Sequence, residues 1–494
     1  MIRRVVDLLR QCGGSASSKS SVHSEDSLPS PRQSYTIVVR PRRPNLQRRD
    51  FLRLATLTGG ATLALRRPLA QARPAEPTSP PTPSFPSADP RWRRTWDAAL
   101  AALAGNIHLV PRYDRPVLYE GAVYPGIWQE CAPQEGLVYG TLSQFITPSS
   151  PDRAPLAIAR NNHMAFFALQ RPEGAESAGQ IPASIKTTEV GFGQIQMVVP
   201  IAATAWELSQ LTGDDELLVT AYQACSRWDT WLRTYRDSRK TGLVEGFCTY
   251  DTGHDNSPRW AGIPNRCPNA DARQCPPIDT LPRLCPDLSA TVFGARTALA
   301  HMATALGKGD EAARWHEDAE KIRQLIIDRL YDPKDAAFYD LDAKNNFVRV
   351  RSDVISRVLG EHVLLRNDTR DKSIFEAIWT RQLHNPHAFW PPYPFPSIAL
   401  DDPTFVRPIP RNSWGGATQA LTAFRVPRWM EFYSKRAEFN HLMQQWCDAI
   451  MRHIEFRQQM DPLTGDFTQA DPSGYSPAAL VFLDFARRLS SHAA

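Results

Sequence analysis

Several features are missing from this 494-residue chain, and each absence removes a class of function. The charge-free run Leu54–Leu65 is diluted by Gly and Thr and is shorter than the ~20 apolar residues a spanning helix needs, and nothing later qualifies. No stable membrane span is therefore expected. There is no Gly-rich phosphate loop, no His-Glu-x-x-His metal signature and no Gly-x-Ser-x-Gly nucleophile elbow. Strand-like alternation is scarce, with "FVRVRSD" (347–353) the clearest case, so an all-β or doubly wound fold is not indicated. The formal charge of +5 does not mark a nucleic-acid binder either. Residues 1–72 hold 13 of the 57 basic and 4 of the 52 acidic residues, which leaves the rest of the chain at −4. Binding a phosphate backbone takes many clustered cations, so no nucleic-acid partner is expected.

The basic front segment reads as an address. "QRRDFLRLATLTGGATLAL" places Arg48-Arg49 before Phe51-Leu52 and the moderately apolar run, and "AQA" (70–72) supplies small residues for cleavage. This order resembles a bacterial twin-arginine export signal. It implies the twin-arginine translocase as a partner during export and a periplasmic or secreted destination. A short membrane anchor is the plainer alternative. The segment ahead of the arginines is Ser/Pro/Arg-rich with no evident core. Seven cysteines follow residue 72, so in an oxidising compartment disulfides are permitted and one thiol at least stays free. The Pro-rich "RCPNADARQCPPIDTLPRLC" (266–285) is the natural place for a bridge; its spacings fit no zinc pattern, and no metal or cofactor is expected.

The remaining chain divides into a Pro/Ser linker, 73–90, and a folded body, 91–494. In the body the apolar residues keep helical spacing. Leu218, Ala221, Cys225, Trp228 and Leu232 fall on one face, as do Ala312, Trp315, Ala319, Ile322, Ile326 and Leu330. The helices come in pairs: a Thr-Gly-Asp turn with Asp214 as cap joins one pair, and a break at Gly307–Gly309 with Asp310 as cap joins another. A looser hairpin covers 415–455. Hairpins separated by long irregular loops at 107–158, 242–290 and 383–414 predict an all-α (α/α)6 toroid with minor β structure at one end. A stacked solenoid would keep shorter loops and a steadier period.

Those loops concentrate the unusual side chains. The first holds Tyr124, Trp128, Gln129, Glu130 and Glu135. The second, "GLVEGFCTYDTGHDNSPRW" (242–260), holds Asp251, His254, Asp255, Asn256, Arg259 and Trp260. The third holds Trp390, Tyr393, Asp401, Asp402, Arg411, Asn412 and Trp414. Aromatic faces with short acid, amide and guanidinium groups are what a pyranose ring requires, so a carbohydrate partner is expected. Glycosidic cleavage needs a proton on the leaving oxygen and a second carboxylate. Asp255, hemmed by Tyr250, Phe247 and Trp260, is the predicted acid because lost solvation would keep it protonated near neutrality. The structural alternative is that Asp255 merely caps a turn. His163, in an apolar helical run, reads as a core histidine.

"TGHDNSPRW" resembles the Gly-x-Asp-Asn-Ser-Pro-Arg signature of glycoside hydrolase family 63 and its relatives, among them mannosylglycerate hydrolases and processing α-glucosidases, and more distantly trehalases. Supporting matches occur in order over roughly 120–485: "YPGIWQE", "GQIPASI", "AWELSQLTGDDELL", "PFPSIALDDPTF", "NSWGGATQAL", "MDPLTG" and "GYSPAAL". The resemblance implies the same (α/α)6 barrel, inverting hydrolysis, and Asp255 as general acid. It also implies that Asp251 orients or binds sugar hydroxyls. Its general base, a Glu three residues before the closing-motif Asp461, falls on Gln458. An amide cannot take a proton from water. Glu455 one turn earlier, Glu130, Glu135, Asp401 or Asp402 could replace it, with Glu130 the better placed beside Trp128. Gln129, Trp128, His254, Asn256, Arg259, Trp260, Trp390, Asp402, Asn412 and Trp414 are the expected sugar contacts. A lyase on a helical toroid and a non-catalytic carbohydrate-binding protein are the competing readings.

Overall fold

A computed structural model describes residues 81–409, 414–468 and 473–491. The export-signal segment, the extension ahead of it, residues 73–80 of the linker, Arg411 and Asn412 lie outside the described residues. Among the described residues no helix is long and apolar enough to cross a membrane.

The helices are α1 (Pro90–Gly105), α2 (Ala132–Thr141), α3 (Pro155–Ala168), α4 (Ile201–Thr212), α5 (Asp215–Tyr235), α6 (Pro286–Ala305), α7 (Gly309–Leu330), α8 (Val354–Gly360), α9 (Thr369–Ile378), α10 (Ala420–Arg425), α11 (Pro427–Met430), α12 (Arg436–His453) and α13 (Ser476–Ser491). They form an (α/α)6 toroid. The inner ring runs α2, α4, α6, α8, α10 and α13, each packed on the next, and α13 returns to α2 to close it. The chain's first long helix, α1, packs outside its last, α13, so the two ends of the body share one hairpin layer.

Sequence chemistry sorts the two rings. The outer helices α5, α7 and α12 bury one stripe, such as Leu218, Ala221, Cys225, Trp228 and Leu232 on α5, and turn charged residues outward. Inner helices are enclosed all round and built from small or apolar residues: α6 buries residues on every face. Gly294 in α6 shows why size matters there, since a Cβ would stand 2.2 Å from a Glu361 carboxylate oxygen and 2.9 Å from Pro200. Inner helix α2, "APQEGLVYGT", has no polar face and therefore no amphipathic signature. That is why 107–158 reads as a loop in the sequence. It in fact holds α2 and the antiparallel hairpin of β1 (Ile107–Val110) and β2 (Tyr113–Leu118).

The two sequence-predicted turns form with one correction. Gly213 ends α4 at φ +68° and the Asp214 carboxylate caps α5 by accepting from Leu217 N at 2.9 Å. In the second hairpin α7 starts earlier than the predicted cap: Lys308 is the cap residue, its carbonyl accepting from Ala312 N, so Asp310 lies inside the first turn, where its charge still suits the helix dipole. His163 is a core residue of α3, its ring nitrogens bonded to Ala159 O and Thr204 Oγ1.

Short strands edge one mouth of the ring. β3 (Gly126–Trp128), β4 (Ser184–Lys186) and β5 (Val190–Gly191) form one sheet; β6 (Glu245–Gly246), β7 (Arg283–Leu284), β10 (Asp340–Leu341) and β11 (Phe347–Val348) form another. β8 (Tyr331–Asp332) pairs with β9 (Ala337–Phe338), and β12 (Thr418–Gln419) with β13 (Gln459–Met460). The expected strand at 347–353 shrinks to β11 because the chain turns into α8. All seven described cysteines are unbridged, and Cys267 faces Cys248 rather than Cys275 or Cys285.

Candidate active site

A cavity of about 170 Å³ opens over the N-terminal mouth of the inner ring. Its walls come from the segments leading into the inner helices: Glu120, Tyr124, Trp128 and Glu130 before α2, Gln194 and Gln196 before α4, Tyr250, Gly253, Asp255 and Arg266 before α6, Trp414 before α10, and Gln458 before α13. Helix starts carry unpaired N–H groups and partial positive charge, a favourable setting for carboxylates. The fold therefore brings Asp255, Glu130, Gln458, Trp128 and Trp414 to one place from four distant parts of the chain.

The 248–260 loop presents Asp255 because its other polar residues are anchored beneath it. Asp251 is fully buried, paired with Arg236 at 2.5 Å, and accepts from the N–H groups of Ile195, Phe247 and Cys248. Arg259 is clamped between Asp287 and Asp340 at 2.7 and 2.6 Å. His254 lies 2.7 Å from Asp353 and accepts from Arg259; burial pulls its pKa down to about 4, so the ring is neutral. Trp260 donates its indole N–H to Thr252 Oγ1 at 2.9 Å. Gly253 (φ +63°) and Asn256 (φ +57°) reverse the chain on either side of the acid. At Gly253 glycine is required twice over, because a Cβ would stand 1.7 Å from Glu130 Oε2.

Asp251, His254, Arg259 and Trp260 are thus supports of the loop, a correction to their predicted sugar contacts. Their short polar character serves burial of the loop, which needs every charge paired. Asn256 is exposed and does not line the cavity. Gln129 turns away, donating to Pro182 O. Trp390 packs in an aromatic cluster with Trp379, His384 and Phe395. Asp402 accepts from Arg351 N and from Thr404, and Asp401 pairs with Arg351 at 2.9 Å. Glu455 pairs with Arg457 at 2.6 Å, off the cavity wall. Glu135 is buried in α2 with neither carboxylate oxygen hydrogen-bonded among the described residues.

The sequence reading missed Glu120. It follows β2 directly, is buried, and accepts from Tyr475 Oη at 2.7 Å. Tyr475 leads into α13, and Tyr124 donates to Gln458 Oε1 at 3.0 Å, so Glu120 sits on the Gln458 side of the cavity. Its sequence signal was an acid ten residues before Glu130 in the same long loop. Gln194 and Gln196 were missed as well; Gln194 donates to Gln196, which donates to Glu130 at 3.4 Å, leaving Glu130 Oε2 without a hydrogen-bond partner among the described residues.

The electrostatics distinguish the carboxyl groups. Burial, then the charge of Glu130, raises Asp255 to about 7. Burial also raises Glu130, opposed by Arg425 and Arg357 beside it. Glu120 is lifted well above the ordinary range by burial and then by Glu135, Glu130 and Asp255. All three are raised, with burial the first cause in each, and perturbed carboxyl groups gathered in a cleft are what a functional site collects. A larger cavity, about 540 Å³, lies toward the C-terminal ends of α2 and α4. Its charged groups are already paired, Arg428 with Glu207 and Arg488 with Asp484 and Glu431, so it lacks the unpaired acids of the smaller one.

Two buried groups have metal-like composition, Cys248/Asp251/Cys267 and Cys285/Asp287/Asp340. In both, the carboxylates already neutralise a guanidinium, Arg236 in one and Arg259 in the other, which leaves little charge for a cation.

A toroid of paired helices with carboxylic acids of raised proton affinity at its loop-bearing mouth is an arrangement that glycosidic cleavage can use. Residues 159–476, more than half the chain, match the model for the mannosylglycerate hydrolase MGH1-like glycoside hydrolase domain, and the chain belongs to that family. Among solved structures it is similar to the family 63 mannosylglycerate hydrolase of Thermus thermophilus in complex with glucose, at 18% identity and a TM-score of 0.58, covering 79% of this chain and 99% of that one. It is also similar to the neutral trehalase of Saccharomyces cerevisiae, at 14% identity and a TM-score of 0.55, covering 78% of each chain. No curated protein matches the sequence.

Proposed function

We propose that this glycoside hydrolase cleaves the O-glycosidic bond of a small glycoside or oligosaccharide with inversion at the anomeric carbon. Asp255 gives its proton to the leaving oxygen, and a carboxylate across the ring takes a proton from the attacking water. The observation that carries this reading is Asp255 on the cavity wall, raised to about 7 and so half protonated near neutrality. A cavity of about 170 Å³, on the order of six water volumes, suits one sugar ring. Trp128 and Trp414 offer it aromatic surface, and Gln194 and Gln196 offer it hydrogen bonds.

Glu130 is our choice for the base, since its Oε2 is unbonded among the described residues and faces the cavity, while Arg425 and Arg357 beside it offset part of the burial that raises it. Glu120 is the other acid on the wall. Gln458, bonded to Tyr124, would orient water. The amide at 458 also favours a second reading, carbohydrate binding without turnover. A panel of aryl glycosides and oligosaccharides, run with wild type, Asp255→Asn, Glu130→Gln and Glu120→Gln while the released anomer is followed by NMR, tests both. Inverted product that disappears with Asp255→Asn supports the proposal; retained product, an unsaturated ultraviolet-absorbing product, or binding without turnover refutes it.

We propose further that the chain is exported through the twin-arginine route. Arg48-Arg49 and the diluted apolar run that follows support this. Replacing both arginines by lysine should leave the protein in the cytoplasmic fraction, and unchanged fractionation would refute it.

A further inference from the structure

We propose that Cys248 and Cys267 are an intramolecular disulfide site that ties together the two ends of the loop carrying Asp255. Their sulfurs lie 3.7 Å apart, both buried, although the residues are 19 positions apart in sequence. The backbones beside them already run together: Thr249 N donates to Pro264 O at 3.0 Å and Tyr250 N to Asn265 O at 3.1 Å. Cys267 is held further by its own N–H to Gly193 O, and Arg236 Nη2 lies 3.7 Å from its sulfur. A disulfide needs about 2.05 Å between sulfurs, a change that side-chain torsions can supply where the backbones are already adjacent.

A metal is the competing use of this group, since Asp251 lies with the two sulfurs. Its carboxylate, however, is spent on Arg236 and three backbone N–H groups, and an incoming cation would meet the guanidinium. Two thiols without a free carboxylate are better matched to oxidation. The oxidant is a small-molecule or protein disulfide. One cysteine thiolate attacks it, forming a mixed disulfide and releasing one thiolate; the second cysteine then displaces the other. The pair loses two electrons and two protons, and the oxidant becomes two thiols. Cys275, half-buried, packs against the same group and is the competing partner the test must separate.

The bond would close a loop that contains His254, Asp255, Arg259 and Trp260, and would restrict its opening by about a hundredfold. It does not rest on the hydrolase reading: Asp255→Asn should form the same bond, so loss of turnover and loss of the disulfide are separate outcomes.

The full chain is equilibrated in glutathione buffers from reducing to oxidising, quenched in acid, alkylated in denaturant, and read by intact mass and peptide mapping. The expected result is loss of two alkylatable thiols on oxidation, with the peptides of Cys248 and Cys267 linked. Cleavage inside 249–266 by an added protease should slow by about a hundredfold. Cys248→Ser should abolish the link and leave Cys267 free or joined to glutathione. Full alkylation of both sulfurs in the oxidising buffer, or a link from either one to Cys275, overturns the proposal; the wild-type measurement stands whether or not the variant folds.

Discussion

Glu130→Gln is the perturbation that most directly tests how Asp255 holds its proton. The wild-type carboxyl is raised from an ordinary 3.8 to about 7, first by burial and second by the charge of Glu130. Glutamine keeps the size and the contact with Gly253 but removes the charge. Because burial is the larger cause, the Glu130 share is less than half of the rise, and Asp255 should fall by about 0.5 to 1.5 pH units, to near 6. At pH 7 a carboxyl near 6 is protonated in about one molecule in ten, against about half in wild type, so the acid form drops roughly fivefold. In wild type the alkaline limb of kcat/KM should bend near pH 7. Since Glu130 is also the chosen base, turnover in the variant can vanish for a second reason. Carboxyl-carbon NMR of labelled aspartate, titrated in wild type and Glu130→Gln, reads the proton on Asp255 without needing catalysis. An Asp255 titration that is unmoved or shifted upward in Glu130→Gln would refute the account of the site's electrostatics.

Gly253→Ala should abolish activity and lower stability by about 2–4 kcal/mol, since φ is left-handed and the new Cβ collides with Glu130; wild-type thermal midpoint and turnover would contradict this. Asp251→Asn leaves Arg236 buried without its counter-charge and should cost about 3–5 kcal/mol in denaturant unfolding; a variant with normal stability but weakened sugar binding would return Asp251 to the substrate. Glu135 is raised to about 8 by burial, above its unfolded value of 4.5, so the folded state binds the extra proton and stability falls as pH rises between the two. Glu135→Gln should therefore gain a few kcal/mol relative to wild type at pH 8 and little at pH 4, as urea melts at the two values would show.

The outer helices were legible in the sequence because each has one wet face. Trp228 and Leu232 stand out at helical spacing because Arg227 and Arg233 on either side, and Thr230 between them, face outward. Inner helices offer no such contrast. α2 is enclosed on every side, and without a polar face it cannot be told from a loop by periodicity, which is why the first hairpin of the toroid was hidden.

The site was half legible for a related reason. A residue type records what a side chain can do, and both jobs required in the 248–260 loop call for the same types. An acid that must hold a proton over a cavity and an acid that must neutralise a buried arginine are both written Asp. Among the described residues Asp251 is paired with a guanidinium and Asp255 is not, and Arg236, the deciding group for Asp251, sits outside the motif at the end of α5. The same ambiguity separates Glu130 from Glu455: one faces the cavity beside Gly253, the other is answered by Arg457 two residues on. Glu120 shows the converse, an acid with no motif around it that the closure of the ring, through Tyr475 at the start of α13, carries to the cavity wall. Paired carboxylates in a sequence therefore locate the loop in which the chemistry lies, and the position of the arginines in the fold decides which of them remains free to perform it.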